Sequence, residues 1–321
     1  MSKNQTVERI RETGALGFGA APIGNLYRAV PDAEALAAVE AAWQLGIRHF
    51  DVAPHYGLGL AEQRLGAALS GKPRESYLLS TKVGRLLRPN PAPQGQDTEG
   101  FAVPDDLTRV FDYSRDGVLR SIEESLVRLG TDRLDVVYIH DPDEHWTEAV
   151  SGAVPALSEL RDQGVIGAYG AGMNQSAMLE RFVRETDVDL VMLAGRYTLL
   201  EQEGARDLIT ACREQGVGIV DVGVFNSGLL SKDRPAPDAT YNYAPAPPEL
   251  LARANALADL AENHGTTLPA VALAFPYREP AVVSVVLGMR TAEQVEQNVS
   301  LRDAAIPEDF WRDAAALGFI N

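Results

Sequence analysis

Cysteine is nearly absent: Cys212 is the only one in 321 residues. An internal disulfide and a thiolate-based zinc site are thereby excluded. Cys212 sits in the helical pattern LITACREQG, where a packing role is expected. Long apolar runs are missing too; no stretch approaches the roughly 18 residues of a membrane span. The polar start MSKNQTVERIRETG lacks the apolar segment of a secretion signal, so a cytoplasmic protein is expected. Positive charge is outnumbered, 29 Lys and Arg against 45 Asp and Glu, for a net charge of −16. Nucleic acid and anionic membranes would be repelled, and neither is expected as a partner. No G-x-G-x-x-G occurs, which removes the nucleotide site of doubly wound folds.

What remains is ordinary for a globular chain: 45% hydrophobic and 23% charged residues. After an arm that reads as unstructured, ALGFGAAPIG (15–24) predicts a strand running into a loop. From there strand-like and helix-like segments alternate. The strands are HFDVAP, YLLSTKV, LDVVYIHD, IGAYGAG, DLVMLAG, VGIVDVGVF and SVVLGM. Near-continuous apolar strands suit a parallel sheet covered on both faces. Eight such pairs without a composition break predict one domain over residues 1–321, an α/β fold of the (β/α)8 barrel type. A doubly wound sheet is the alternative. Two long proline-rich connections, 84–113 and 231–248, show no clear periodicity and read as functional loops.

Two motifs are near-misses. GAALSGKP mimics a phosphate-binding loop, but Pro73 stands where a hydroxyl would hold magnesium, and Gly66 lies in a helical pattern. HDPDEH (140–145) has no standard ligand spacing, so no metal is expected.

A stronger constellation is organised around HFDVAPHYG (49–57). Asp51 and Tyr56 fall at and just beyond the end of one strand, Lys82 near the end of the next, and His140 near the end of a third. In a parallel barrel all four would face the catalytic end. A phenol titrates near pH 10, too high for proton transfer at neutral pH. A lysine ammonium nearby would lower that value, a carboxylate would keep the lysine charged, and a histidine would hold a substrate oxygen. Such a set suits interconversion of a carbonyl and an alcohol. Lys82 beside Asp51 should be protonated and therefore a poor Schiff-base amine, which disfavours an aldolase or hydrolase. Further on, SVVLGMRTAEQVEQN places Gly288, Arg290 and a Thr291-x-x-Gln294 capping box at a helix start, which favours a phosphate.

These residues resemble the aldo-keto reductases, over essentially the full length. FDVAPHYG, STK and IHDPD match that family's Asp-Tyr-Lys-His tetrad in order. PIGNLYR, HYGLGLAE, GRLL, LAGRYTLL, VFNSG and NYAPAPPE are similar to its branch of D-threo-aldose (L-fucose or L-galactose) 1-dehydrogenases, which includes pyridoxal dehydrogenases. The resemblance implies oxidation of a C1 hemiacetal to a lactone, with NAD or NADP taking the hydride and NAD slightly preferred. It implies cofactor contacts at Gly19 and Ala20, and at Met173, Asn174 and Arg196 near the nicotinamide. Phe225, Asn226, Ser227 and Gly228 would cover the pyrophosphate, and Gly288, Arg290, Thr291, Gln294 and Asn298 would meet the adenosine end. Arg196 stands where many members carry glutamine, and Gln294 where NADP-preferring members carry arginine. Val222 falls where many members stack an aromatic ring on the nicotinamide. Asn25, Tyr27 and His55 are the substrate-facing candidates, with the loop after Gly84. The expected partner is a small sugar or aldehyde, and the expected state a monomer or small homo-oligomer. An NADPH-dependent general aldehyde or ketone reductase, or a non-catalytic cofactor-binding regulator, are the alternatives.

Overall fold

Each of the eight expected strand segments forms a parallel strand, and together they close into a barrel. They are β1 (Leu16–Gly19), β2 (His49–Asp51), β3 (Leu78–Val83), β4 (Val136–His140), β5 (Ala168–Met173), β6 (Leu190–Ala194), β7 (Gly218–Val222) and β8 (Val282–Gly288). Neighbours in sequence are neighbours in space, and β1 closes the ring on β8, with Leu16 opposite Val285 and Gly19 opposite Gly288. That closing pair rules out the doubly wound alternative, whose sheet would stay open. The computed structural model describes residues 3–242 and 244–321.

The two-residue period of the strands decides where the chemistry lies. Phe50, Leu79, Val137, Ile139 and Val191 point outward into the core shared with the surrounding helices. Leu78, Val136, Tyr138, Leu190, Met192 and Val220 form a second core inside the barrel. Continuing the inward set, β3 delivers Ser80 and Lys82 and β4 delivers His140, each at or near the C-terminal end of its strand. Apolar residues thus fill the bottom, while polar groups collect at the mouth.

The N-terminal arm departs from expectation. Lys3–Thr13 is a helix, and its Val7 and Ile10 join the inner core, Ile10 fully buried. The polar average of the segment hides two apolar residues three apart, which share one helix face and stop the barrel bottom. Residues 1 and 2 of that arm lie outside the described residues.

The first long connection is also more ordered than its sequence implies. Arg85–Pro89 pairs antiparallel with Leu107–Phe111, and between them Phe101 bridges back to Leu26. Both strands of this hairpin are half exposed, so no clean apolar period marks them. In the second connection Thr240–Tyr241 pairs with Ala244–Pro245. Tyr243 lies outside the described residues.

Gly66 lies in helix Leu60–Leu69, where a Cβ would meet the Leu129 carbonyl oxygen at 2.3 Å; it serves close helix packing. Cys212 is buried, and burial pushes its thiol up to about 12. Among the described residues no helix is long and apolar enough to cross a membrane.

Asp221 on β7 lies between inner-core Val220 and Val222, which lines the barrel mouth, so its side chain faces the helix layer. Burial raises its carboxyl well above the usual range, against a weaker pull from the Val222 backbone. The unfolded chain gives up this proton near pH 3.9, whereas the folded chain retains it. Stability therefore falls as pH rises above that value, by about 1.4 kcal/mol per pH unit for one proton. Asp221→Asn removes this dependence, so its stability advantage over the wild type should widen from pH 5 to pH 7 in urea unfolding. Parallel curves for the two proteins would contradict a neutral Asp221.

Candidate active site

Asp51 ends β2, and the following Val52–Pro54 turn places His55 and Tyr56 over the barrel mouth. Lys82 is almost fully buried, with Nζ 2.6 Å from Asp51 Oδ2 and 3.1 Å from the Val52 carbonyl oxygen. Ser80 Oγ donates to the other Asp51 oxygen at 2.7 Å. Nζ also lies 4.9 Å from the centre of the Tyr56 ring. Burial pulls the ammonium pKa down, but Asp51 and Tyr56 more than offset it, and the value stands above that of free lysine. Lys82 is therefore a held cation, as its sequence context implies.

His140 sits edge-on to Tyr56, ring centres 5.9 Å apart. Burial, then the nearby Lys82 and Arg85 charges, hold its pKa well below that of free histidine, so the imidazole is neutral. It can donate one hydrogen bond to a substrate oxygen without adding charge. Asp141 turns the chain immediately after it with φ 40°, and its carboxylate accepts from Arg85 at 2.7 Å. The Tyr113 hydroxyl donates to the His140 carbonyl oxygen at 2.9 Å.

Tyr56 departs from the expectation of a lowered phenol. Burial raises its pKa above 10, and Lys82 only partly reverses this. The Asp51 carboxylate that keeps Lys82 charged also opposes a phenolate. In this state the phenol holds its proton firmly, which makes it a ready acid and a base only when the pH is raised.

Tyr56, Lys82 and His140 line one cavity of about 400 Å³ with Ala21, Leu26, Tyr27, His55, Glu99, Phe101, Met173, Asn174 and Val222. Val222 is thus at the barrel mouth, where the missing aromatic was expected. Phe101 stacks on Tyr56 at 6.1 Å and meets the His55 ring edge-on at 5.2 Å. Burial, then Arg85, Arg109 and Lys82, lower the His55 pKa to about 2.

A second cleft of about 700 Å³ shares Leu26, Tyr27, Asn174 and Ala194 with the first. Phe225, Asn226, Ser227, Gly228, Gly288 and Arg290 line it as well. Asn226, Ser227 and Gly228 all have positive φ, in tight turns where Asn226 N donates to Gly223 O at 2.9 Å and Gly228 N to Phe225 O at 3.0 Å. Arg290 has a pKa lowered by burial and by the neighbouring Arg28 cation. Two guanidiniums that oppose one another favour an anion between them. The cleft, which carries Arg290 in its lining and shares walls with the Tyr56 cavity, fits a nicotinamide dinucleotide.

Several expected contacts lie elsewhere. Asn25 does not line either cavity: its amide donates to Ala102 O at 3.1 Å and accepts from Val30 N and Arg64. It holds the loop that carries Phe101. Arg196 donates to Asn242 at 3.1 Å, tying β6 to the 240–245 hairpin. Thr291 caps its helix by accepting from Gln294 N at 3.2 Å, as the motif predicts. Gln294 Oε1 reaches one residue further than expected, to Arg290 N at 3.0 Å. Gly19, Ala20, Thr291, Gln294 and Asn298 do not line the cleft. Missed from the sequence were Ala21, Met192 and Ala194, of which the last two follow from the inward period of β6. Arg85, Glu99, Phe101 and Arg109 lie in the loop after Gly84 that was expected to face substrate, but neither they nor Leu26 were singled out individually. His145 packs against Phe111 and Tyr113. Among the described residues no group of three or more His, Cys, Asp or Glu side chains is gathered as metal ligands.

Residues 15–318 match the Aldo/keto reductase family. The chain is 50% identical to D-threo-aldose 1-dehydrogenase of a Pseudomonas species, across 94% of this chain and 93% of that protein. It is 39% identical to pyridoxal 4-dehydrogenase of Microbacterium luteolum, across 96% and 94%. Among solved structures it is similar to the holo form of an aldo-keto reductase from Bacillus halodurans, with 25% identity and a TM-score of 0.72. That likeness covers 94% of this chain and 91% of the other.

Proposed function

The chain belongs to the aldo/keto reductase family, and within it we propose oxidation of the C1 hemiacetal of an aldose to a lactone. L-fucose, L-galactose and D-arabinose are the aldoses meant, with the hemiacetal of pyridoxal as the related substrate. The protein is an NAD(P)-dependent oxidoreductase. The observation that carries the reading is Tyr56 beside the Lys82–Asp51 pair and a neutral His140, at a cavity that shares Leu26, Tyr27, Asn174 and Ala194 with a second cleft. The likeness to an aldose dehydrogenase and a pyridoxal dehydrogenase supports the substrate class.

Asn174, Phe225–Gly228, Gly288 and Arg290 would hold the dinucleotide, whose oxidised ring supplies the hydride acceptor. His140 orients the C1 oxygen through its imidazole N–H. Tyr56 takes the hydroxyl proton as the C1–H bond breaks, and Lys82 stabilises the phenolate form through which this occurs. In the reverse direction the same phenol donates. Phe101 and His55 cover Tyr56 and limit water at the reacting carbon.

NAD is the favoured cofactor in this reading because Gln294, whose side-chain oxygen accepts from Arg290 N at 3.0 Å, brings no positive charge of its own to pair with a ribose phosphate. Arg28 and Arg290 leave NADP as a substrate of lower efficiency.

The test is absorbance at 340 nm with L-fucose, L-galactose, D-arabinose and pyridoxal, each with NAD and NADP. A rise with at least one of them, faster with NAD, is expected. Silence with all four, while simple aldehydes consume NADPH, would replace this reading with a general reductase. No turnover in either direction would point to a cofactor-binding regulator.

A further inference from the structure

Substrate selection needs groups that meet the part of the molecule that does not react. The rim above Tyr56 carries four charged side chains from one region: Arg85, Asp97, Glu99 and Arg109. Three of them are engaged by the fold. Arg109 pairs with Asp97 at 2.5 Å, both nearly buried, and donates to the His55 carbonyl oxygen at 3.0 Å. Arg85 is bound to Asp141 at 2.7 Å.

Glu99 is different. Its carboxylate lines the Tyr56 cavity and is 47% exposed. It stands 3.6 Å from Arg85, 3.7 Å from Arg109 and 3.8 Å from His55 Nδ1, beyond hydrogen-bond distance of all three. His55 Nδ1 is itself buried and has no hydrogen-bond partner. A buried nitrogen left unpaired is costly, and the half-exposed Glu99 carboxylate beside it is the group of this cluster that a bound hydroxyl can reach.

The loop does not depend on the Glu99 side chain for its shape. Tyr27 N donates to Gly100 O at 2.8 Å, Ala102 N to Asn25 O at 2.9 Å and Asp97 N to Val103 O at 2.9 Å. Asn25, fixed by Arg64, clamps the same loop from the side. The backbone that carries Glu99 is thus fixed at the rim of the cavity, and its carboxylate lies within ion-pair range of Arg85 and Arg109 without a hydrogen bond to either.

We propose that Glu99 determines specificity by binding ring hydroxyls of a cyclic polyol substrate beyond the reacting carbon. A carboxylate accepts from hydroxyls. Arg85 and Arg109, 3.6 and 3.7 Å away, draw it to the rim of the cavity. Simple aldehydes that lack hydroxyls draw nothing from it. A site built to hydrogen-bond a hydroxyl discriminates strongly against analogues without one. This inference rests on the aldose reading given above.

The experiment compares wild type, Glu99→Gln and Glu99→Leu on an oxidised aldose and on a simple aliphatic aldehyde in the reductive direction. Glu99→Leu should raise KM for the aldose by about 10- to 100-fold, the range for a lost hydrogen bond to a charged group, with kcat nearly kept. Its kcat/KM for the simple aldehyde should stay within about threefold of wild type. Glu99→Gln, which still accepts a hydrogen bond, should recover most of the aldose affinity. Equal losses on both substrates would mean a structural role and overturn the proposal, as would an unchanged aldose KM in Glu99→Leu. A wild type that turns over simple aldehydes but no aldose would overturn the substrate reading itself, and this proposal with it.

Discussion

Tyr56→Phe should lower turnover in both directions by about 10³-fold or more, the upper range for loss of a positioned general acid or base. The change removes one oxygen and leaves the ring stacked on Phe101, so the fold should be unaffected. The dinucleotide cleft is lined by other residues, so nicotinamide binding followed by fluorescence should change by less than about threefold. The pH dependence gives a second readout. Burial holds the Tyr56 pKa above 10, so at neutral pH only a small fraction is phenolate. Oxidation by the wild type, which requires that base form, should climb about tenfold per pH unit from 7 toward 10. Reduction, which uses the neutral phenol, should stay level over the same range. Residual activity of the variant should lack the alkaline rise. A Tyr56→Phe protein that keeps a tenth of wild-type turnover would remove Tyr56 from the chemistry.

The sequence revealed the part of this site that is carried by strands. Asp51, Lys82 and His140 are inward positions on three successive strands, and a two-residue period together with the strand ends is enough to bring them to one mouth. The helix cap after β8 was similarly legible, because Thr291 and Gln294 at that spacing are a local signal. The rim was not. Phe101 and Glu99 reach Tyr56 by a hairpin whose strands lie about 20 residues apart and face solvent on one side. Asn25 looked like a substrate contact because it sits beside the mouth in sequence. Its hydrogen bonds to Ala102, Val30 and Arg64 are long-range and leave no local trace. The direction of the Tyr56 shift was missed for a related reason. Residue types announce an ammonium near a phenol, but only packing reveals that desolvation outweighs it.

The Lys82–Asp51 pair should separate stability from catalysis. Each partner is nearly buried, and they meet at 2.6 Å. Lys82→Met leaves the Asp51 carboxylate in place with Ser80 but without its cation, and Asp51→Asn leaves the ammonium with the Val52 carbonyl oxygen and no counter-charge. Removing one member of a buried pair costs about 3–5 kcal/mol, so both single variants should unfold at distinctly lower denaturant concentration. Replacing both charges removes the mismatch, and such double replacements are often neutral. Asp51→Asn/Lys82→Met should therefore recover most of the lost stability, a coupling of several kcal/mol in the double-mutant cycle. Turnover should not recover. Lys82 is the cation that stabilises the Tyr56 phenolate, so Lys82→Met and the double variant should both lose about 10²-fold or more in oxidation. Asp51→Asn should lose less, and its activity should fall off at lower pH than wild type. The reason lies in the opposing influences on Lys82: burial pulls its pKa down, and without the carboxylate that offsets this the ammonium deprotonates earlier. If the double variant regains activity along with stability, the pair is a packing device and the phenol is tuned by something else. If it regains neither, the two charges are coupled to more of the barrel mouth than Tyr56 alone.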